Sequence, residues 1–180
     1  NLSPEASKAI ADTVALGEEL SREIRTMSYL LHPPLLDEAG LESALQWYVS
    51  GFGERSKIKV SLQLPPRFPR LSSELEISIF RIVQEALTNI YRHSGSPTAT
   101  VSIRSEGDVF RLCIEDAGKG LKIRSGVSSG SLNGTGVGLR GMQERVAQLG
   151  GTLQIQSSGT GTRIIARFPI SKAEHGSSTA

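Results

Sequence analysis

Glu85-Ala-Leu-Thr-Asn89, Asp116-Ala-Gly118-Lys-Gly120 and Gly134-Thr135-Gly136-Val137-Gly138-Leu139 stand in that order along the chain and decide how the rest is read. The first puts a carboxylate and an amide four residues apart, one turn of a helix, where both oxygens face the same way. A magnesium ion and the phosphates it bridges suit such a line of oxygens. The second places a carboxylate where an apolar strand gives way to a glycine turn. The third is a glycine-rich strip opening into a helix, whose backbone amides and dipole end can receive phosphate. No G-x-x-x-x-G-K-[ST] occurs anywhere, so a P-loop is excluded. Gly136-Val-Gly138-Leu-Arg-Gly141 fits G-x-G-x-x-G, but serine and glycine precede it rather than a buried strand, which argues against a dinucleotide fold.

Ser72 to Arg92 reads as a helix. With Val83 at the centre of a wheel, Ile79, Phe80, Ala86, Leu87 and Ile90 form its core face, and Glu85, Asn89 and Arg92 line the opposite one. Such a face is also what an ordinary solvated helix presents. His93 falls at the boundary, where a histidine also serves as a partner for the helix dipole. In the strand from Val109, alternation puts Phe110, Leu112, Ile114 and Asp116 on one side. A charge ending that row needs a partner. An adenine amino group would supply one, and a local Asp-x-Gly turn is the alternative. Thr162, opening the final strand after Gly161, either reaches toward a base or is an ordinary β-branched strand residue.

Strands are further expected at Ile58–Leu64, Thr98–Arg104, Thr152–Gln156 and Thr162–Phe168, and helices at Leu41–Arg55 and Leu139–Leu149. Helices and strands without regular βαβ alternation predict an α+β two-layer sandwich, a mixed sheet with helices on one face. Between Ala117 and Gly138 runs a segment with seven glycines, too poor in apolar residues to fold alone, and a loop of that length is usually functional. Before these elements, Ser3 to His32 reads as one long helix, with Leu20, Ile24, Met27 and Leu31 as an apolar stripe that needs another helix to cover it. Pro33-Pro34 stops it.

Composition sets the outer limits. The chain has 180 residues, 38% of them hydrophobic, enough for a real core. Twenty basic against 18 acidic residues, with 5% aromatics and no long charge run, leave little support for a nucleic-acid partner. Cys113, alone in an apolar run, reads as a small buried side chain, and a reducing compartment fits it. No stretch is apolar enough to span a bilayer, so no direct membrane contact by this segment is expected.

Taken together, the motifs resemble the GHKL superfamily of ATPases and kinases, which includes gyrase, the heat-shock chaperone ATPase, the mismatch-repair ATPase and the bacterial sensor histidine kinases. Glu85-x-x-x-Asn89 is similar to its N box, Asp116-x-Gly118-x-Gly120 to its first glycine box, Gly134-x-Gly136-x-Gly138 to its second, and Gly161-Thr162 to the threonine before its last strand. The resemblance implies ATP and Mg2+ as cofactors, Asn89 as magnesium ligand, Asp116 as reader of adenine, and residues 117–137 as a lid. It also implies that Arg92 and His93 stand near the phosphates, and that Glu85 either orients metal-bound water or supports Asn89.

The segment from Leu20 to Leu45, with His32-Pro-Pro-Leu-Leu-Asp37 at its centre, is similar to the second dimerisation helix and connector of the nitrate-sensor-like kinases. This implies a division into 1–37 (partial dimerisation helix and connector), 38–170 (catalytic ATP-binding domain) and 171–180 (flexible tail). The phospho-acceptor histidine is then expected on a preceding helix, not at His32. Homodimerisation through the N-terminal helices, a response-regulator receiver domain as partner and a cytoplasmic setting, compatible with a membrane anchor elsewhere in a longer protein, are implied by the same likeness. The sequence leaves two rivals: a serine kinase of the anti-sigma-factor type, and a nucleotide-responsive module without phosphoryl transfer.

Overall fold

The computed structural model describes residues 8, 10, 13, 14, 16, 17, 34–66, 68, 71–120 and 137–170. The expected stripe from Leu20 to Leu31, His32, the loop 121–136 with Gly134, Thr135 and Gly136, and the tail 171–180 lie outside the described residues. Residues 8, 10, 13, 14, 16 and 17 are helical, as the long first helix requires.

Five strands form one mixed sheet in the order β1-β2-β3-β5-β4. They are β1 (Lys59–Gln63), β2 (Thr98–Glu106), β3 (Val109–Asp116), β4 (Thr152–Ser158) and β5 (Gly161–Pro169). β1 runs parallel to β2, and the other neighbours are antiparallel. Because side chains alternate along a strand, register turns each strand's apolar residues into continuous rows. Val101, Ile114 and Ile164 make one row, and Ile103, Leu112 and Ala166 the next, all almost wholly buried. Onto this face pack α1 (Pro34–Ser56), α2 (Ser73–Asn89) and α3 (Val137–Gln148). Tyr48 of α1 meets Phe80 of α2 edge-on at 5.5 Å between ring centres, and Phe68 meets Phe110 of β3 at 5.8 Å. The expected two-layer sandwich is the observed one.

Two boundaries differ from expectation by more than two residues. α1 begins at Pro34 rather than Leu41, because proline is compatible with a first helical turn, whose N–H has no partner to lose. A kink at Gly40 (φ 77°) then redirects the helix so that both Leu36 and Leu41 are buried. α2 does not run to Arg92: it ends at Asn89 and widens into a π turn, Ile90–Ser94, closed by Gly95 in the left-handed region.

Candidate nucleotide site

The core face of α2 is as the wheel predicts, with Ile79, Phe80, Val83, Ala86, Leu87 and Ile90 all buried. Glu85 and Asn89 are half-buried on the other side. Asn89 Nδ2 donates to Glu85 Oε1 at 3.1 Å, which fixes the amide and leaves its Oδ1 without a partner among the described residues. Beyond Asn89 the π turn alters the winding. In an α-helix, the third residue after Asn89 lags the line by about 60° and the fourth overshoots it by about 40°. A π turn, closed by i→i+5 bonds, takes more residues per revolution. His93 is thereby drawn under Asn89 and Arg92 falls behind. Both side chains are exposed, but His93 lines the cleft with Asn89 and Arg92 does not.

Across the cleft, Asp116 ends the row Phe110, Leu112, Ile114. Its Oδ1 accepts the Gly118 N–H at 2.7 Å, so the Asp-x-Gly turn is present. That turn uses one carboxylate oxygen. Oδ2 has no partner among the described residues and is available to a ligand. Thr162 is the direct cross-strand partner of Asp116, which puts both at the ends of adjacent strands on the helix-facing side. The Thr162 hydroxyl lies 3.3 Å from that of Ser157. Ala86, Asn89, Ile90, His93, Ser94, Ile114, Asp116, Gly120, Leu139, Thr162 and Ile164 together line a cleft of about 400 Å³, counting its solvent-filled mouth.

The glycines are where the backbone passes closest. Gly120 has φ 71°, and a β-carbon there would run into the Ser158 carbonyl. One at Gly138 would strike the Glu85 carboxylate, so the first turn of α3 lies directly against the N-box helix. Gly118 and Glu85 do not line the cleft, although each supports a residue that does. Val137 begins α3. Ile90, Ser94, Ile114 and Ile164 belong to the wall without being marked as such in the sequence, where they read only as core or turn residues. For Ser94 the available signal is its place in the short polar turn Ser94-Gly95-Ser96.

Apolar walls with a few convergent polar groups suit a flat heterocycle carrying a charged tail. Among the described residues no three His, Cys, Asp or Glu side chains gather to hold a metal by themselves. A hard cation here would take the Asn89 amide oxygen and draw its remaining ligands from phosphate and water, the habit of magnesium. The donor set fits that group. Cys113 is buried on the other face of the sheet, and burial with the neighbouring Glu115 carboxylate pushes its thiol up, the behaviour of a packing residue.

A two-layer sandwich with a cleft between N-box helix and strand ends defines a nucleotide-binding ATPase domain of the non-P-loop kind. Residues 74–172 match the family described as histidine kinase-, DNA gyrase B- and HSP90-like ATPases, and the chain belongs to that family. It is 35% identical over 150 residues to the sensor histidine kinase MctS of Rhizobium johnstonii, covering 83% of this chain and 32% of that protein. It is likewise 35% identical over 171 residues to the signal transduction histidine-protein kinase/phosphatase DegS of Brevibacillus brevis, covering 94% and 43%. The chain thus spans less than half the length of these relatives. Among solved structures, the histidine kinase domain of the Erythrobacter litoralis EL346 blue-light activated histidine kinase superposes with a TM-score of 0.62 at 26% identity, over 81% of this chain and 73% of that one.

Proposed function

We propose that this chain is the ATP-binding catalytic part of a two-component sensor histidine kinase, positioning Mg-ATP for phosphoryl transfer to a histidine on a helix of the dimerisation bundle. The observation that carries the proposal is the convergence of Asn89, Asp116, Gly120, Leu139 and Thr162, from well-separated parts of the chain, on one cleft. Asp116 accepts the adenine amino group through Oδ2, while Ile90, Ile114, Leu139 and Ile164 exclude water from the ring faces. Asn89 holds its amide oxygen toward the phosphates, oriented by Glu85, which supports the positioning role for that carboxylate. The first turn of α3 presents amides to the phosphate tail. Magnesium, when bound, neutralises charge that builds on the β- and γ-phosphates. Reaction of this kind is mostly orientation and charge neutralisation. The bond between γ-phosphorus and the β-bridging oxygen breaks as the N–P bond forms, and ADP leaves.

The division 1–37, 38–170 and 171–180, dimerisation through the N-terminal helices, onward transfer to a response-regulator receiver domain and a cytoplasmic setting belong to the same proposal. No helix among the described residues is long and apolar enough to cross a membrane. The test is to incubate the chain with γ-labelled ATP, magnesium and a separately supplied bundle helix bearing the acceptor histidine. Acid-labile label on that histidine is expected. Label on serine would transfer the assignment to the anti-sigma-type kinases, and no label despite bound ATP would leave a nucleotide-responsive module.

A further inference from the structure

Asp116 can read a base only if its carboxylate is aimed, and the turn in which Oδ1 accepts the Gly118 N–H aims it only if something holds the Asp116–Ala117 backbone in place. The groups that do so come from the turn after the π segment. Ser96 is 5% exposed, and its Oγ sits at the centre of three hydrogen bonds. It donates to the Thr98 carbonyl at 2.7 Å and accepts the Thr98 N–H at 3.2 Å. It also accepts the Ala117 N–H at 3.2 Å, across 21 positions of sequence. That last N–H belongs to the peptide unit shared with Asp116. The neighbouring Ser94 adds a second tie: its carbonyl accepts the Lys119 N–H at 2.9 Å, and a β-carbon at Gly118 would collide with it. Ser94 Oγ in turn donates to the Ile90 carbonyl at 2.8 Å and accepts the Ser96 N–H at 2.9 Å, holding the π turn and the serine pair in one network.

From this geometry we infer that Ser96 is a positioning residue for base selectivity: its hydroxyl locks the Asp116–Ala117 peptide to the turn beyond Asn89, and so fixes the free Asp116 oxygen on the purine amino group. The inference rests on the reading of Asp116 as the adenine contact. A buried N–H that loses its acceptor shifts to find another, and the attached carboxylate moves with it. With Asp116 as the base contact, this peptide lies at the base end of the cleft, so binding of ribose and phosphates is expected to be spared.

The experiment compares the affinities of the full chain for Mg-ADP and Mg-IDP, whose base carries a carbonyl oxygen in place of the amino group. Wild-type protein is expected to prefer ADP. In Ser96→Ala that preference should fall about tenfold, through weaker ADP binding with IDP little changed, the size of one well-made hydrogen bond. Ser96→Cys, close in volume but a poor acceptor, should do the same and covers the case in which Ser96→Ala does not fold. Asp116→Asn is the control. If it abolishes the preference while both Ser96 variants keep it, or if those variants lose ADP and IDP equally, the positioning role is overturned and the adenine contact stands. If Asp116→Asn leaves the preference intact, or wild type shows none, the adenine contact itself fails and Ser96 with it.

Discussion

Asp116 is the residue on which recognition turns, and its two oxygens have separate duties: one closes the turn to Gly118, the other faces the cleft. Asp116→Asn keeps the acceptor for that turn only in the amide orientation that points its NH2, a donor, at the amino donor of the base. We expect a loss of about 2–3 kcal/mol in adenine-nucleotide binding with the fold retained, read by calorimetric titration. Unchanged affinity would remove Asp116 from the site. Gly120→Ala acts differently, since a β-carbon is strained at φ 71° and also meets the Ser158 carbonyl. Its expected cost is about 1–3 kcal/mol of stability in urea titration, with a cleft too distorted for tight binding. Tyr48 sets a pH limit on the same core. Burial pushes its phenol above the usual 10.0, partly offset by the hydrogen bond to Thr88. A raised folded pKa means that the contribution is complete below pH 10 and is lost as pH climbs through the folded value. Tyr48→Phe should therefore flatten the stability profile above pH 10, and an unchanged alkaline slope would contradict that origin.

At the scale of elements, the sheet has a face the helices do not cover. There Arg104, Arg111 and Arg167 stand side by side across β2, β3 and β5. Arg111 pairs with Glu106 at 3.2 Å. Like charges opposite one another on neighbouring strands destabilise a sheet. Arg104→Glu should accordingly raise the urea midpoint, with a gain of about 0.2–1 kcal/mol, and a lowered midpoint would show that the arginine stems matter more for covering Cys113 and Ile165. Elements are also the scale at which sequence is most legible, because apolar spacing reports burial directly. Val83 and its neighbours mark the core face of α2, and the alternation ending at Asp116 marks the inward row of β3. What spacing does not encode is register and winding. That Asp116 and Thr162 face each other depends on how β3 and β5 align, and that His93 rather than Arg92 joins Asn89 depends on a π turn set by the polar network of Ser94 and Ser96. The start of α1 at Pro34 is hidden for a similar reason: two adjacent prolines read as a stop, while the burial of Leu36 that favours the extra turn is a tertiary effect.

For the whole molecule, the cleft lies between the two layers, so a ligand there touches α2, α3, β3 and β5 at once and stabilises the domain as a unit. Ligand present at about 100 times its dissociation constant adds about 2.7 kcal/mol to the folded state. In a domain of this size that corresponds to a melting shift of about 5–10 °C. The decisive measurement is thermal unfolding of the chain with and without millimolar Mg-ADP, on wild type and Asp116→Asn in parallel. A rise of that size in wild type, largely lost in the variant, is the expected result; superimposable wild-type curves would contradict the claim that these separated segments hold one nucleotide.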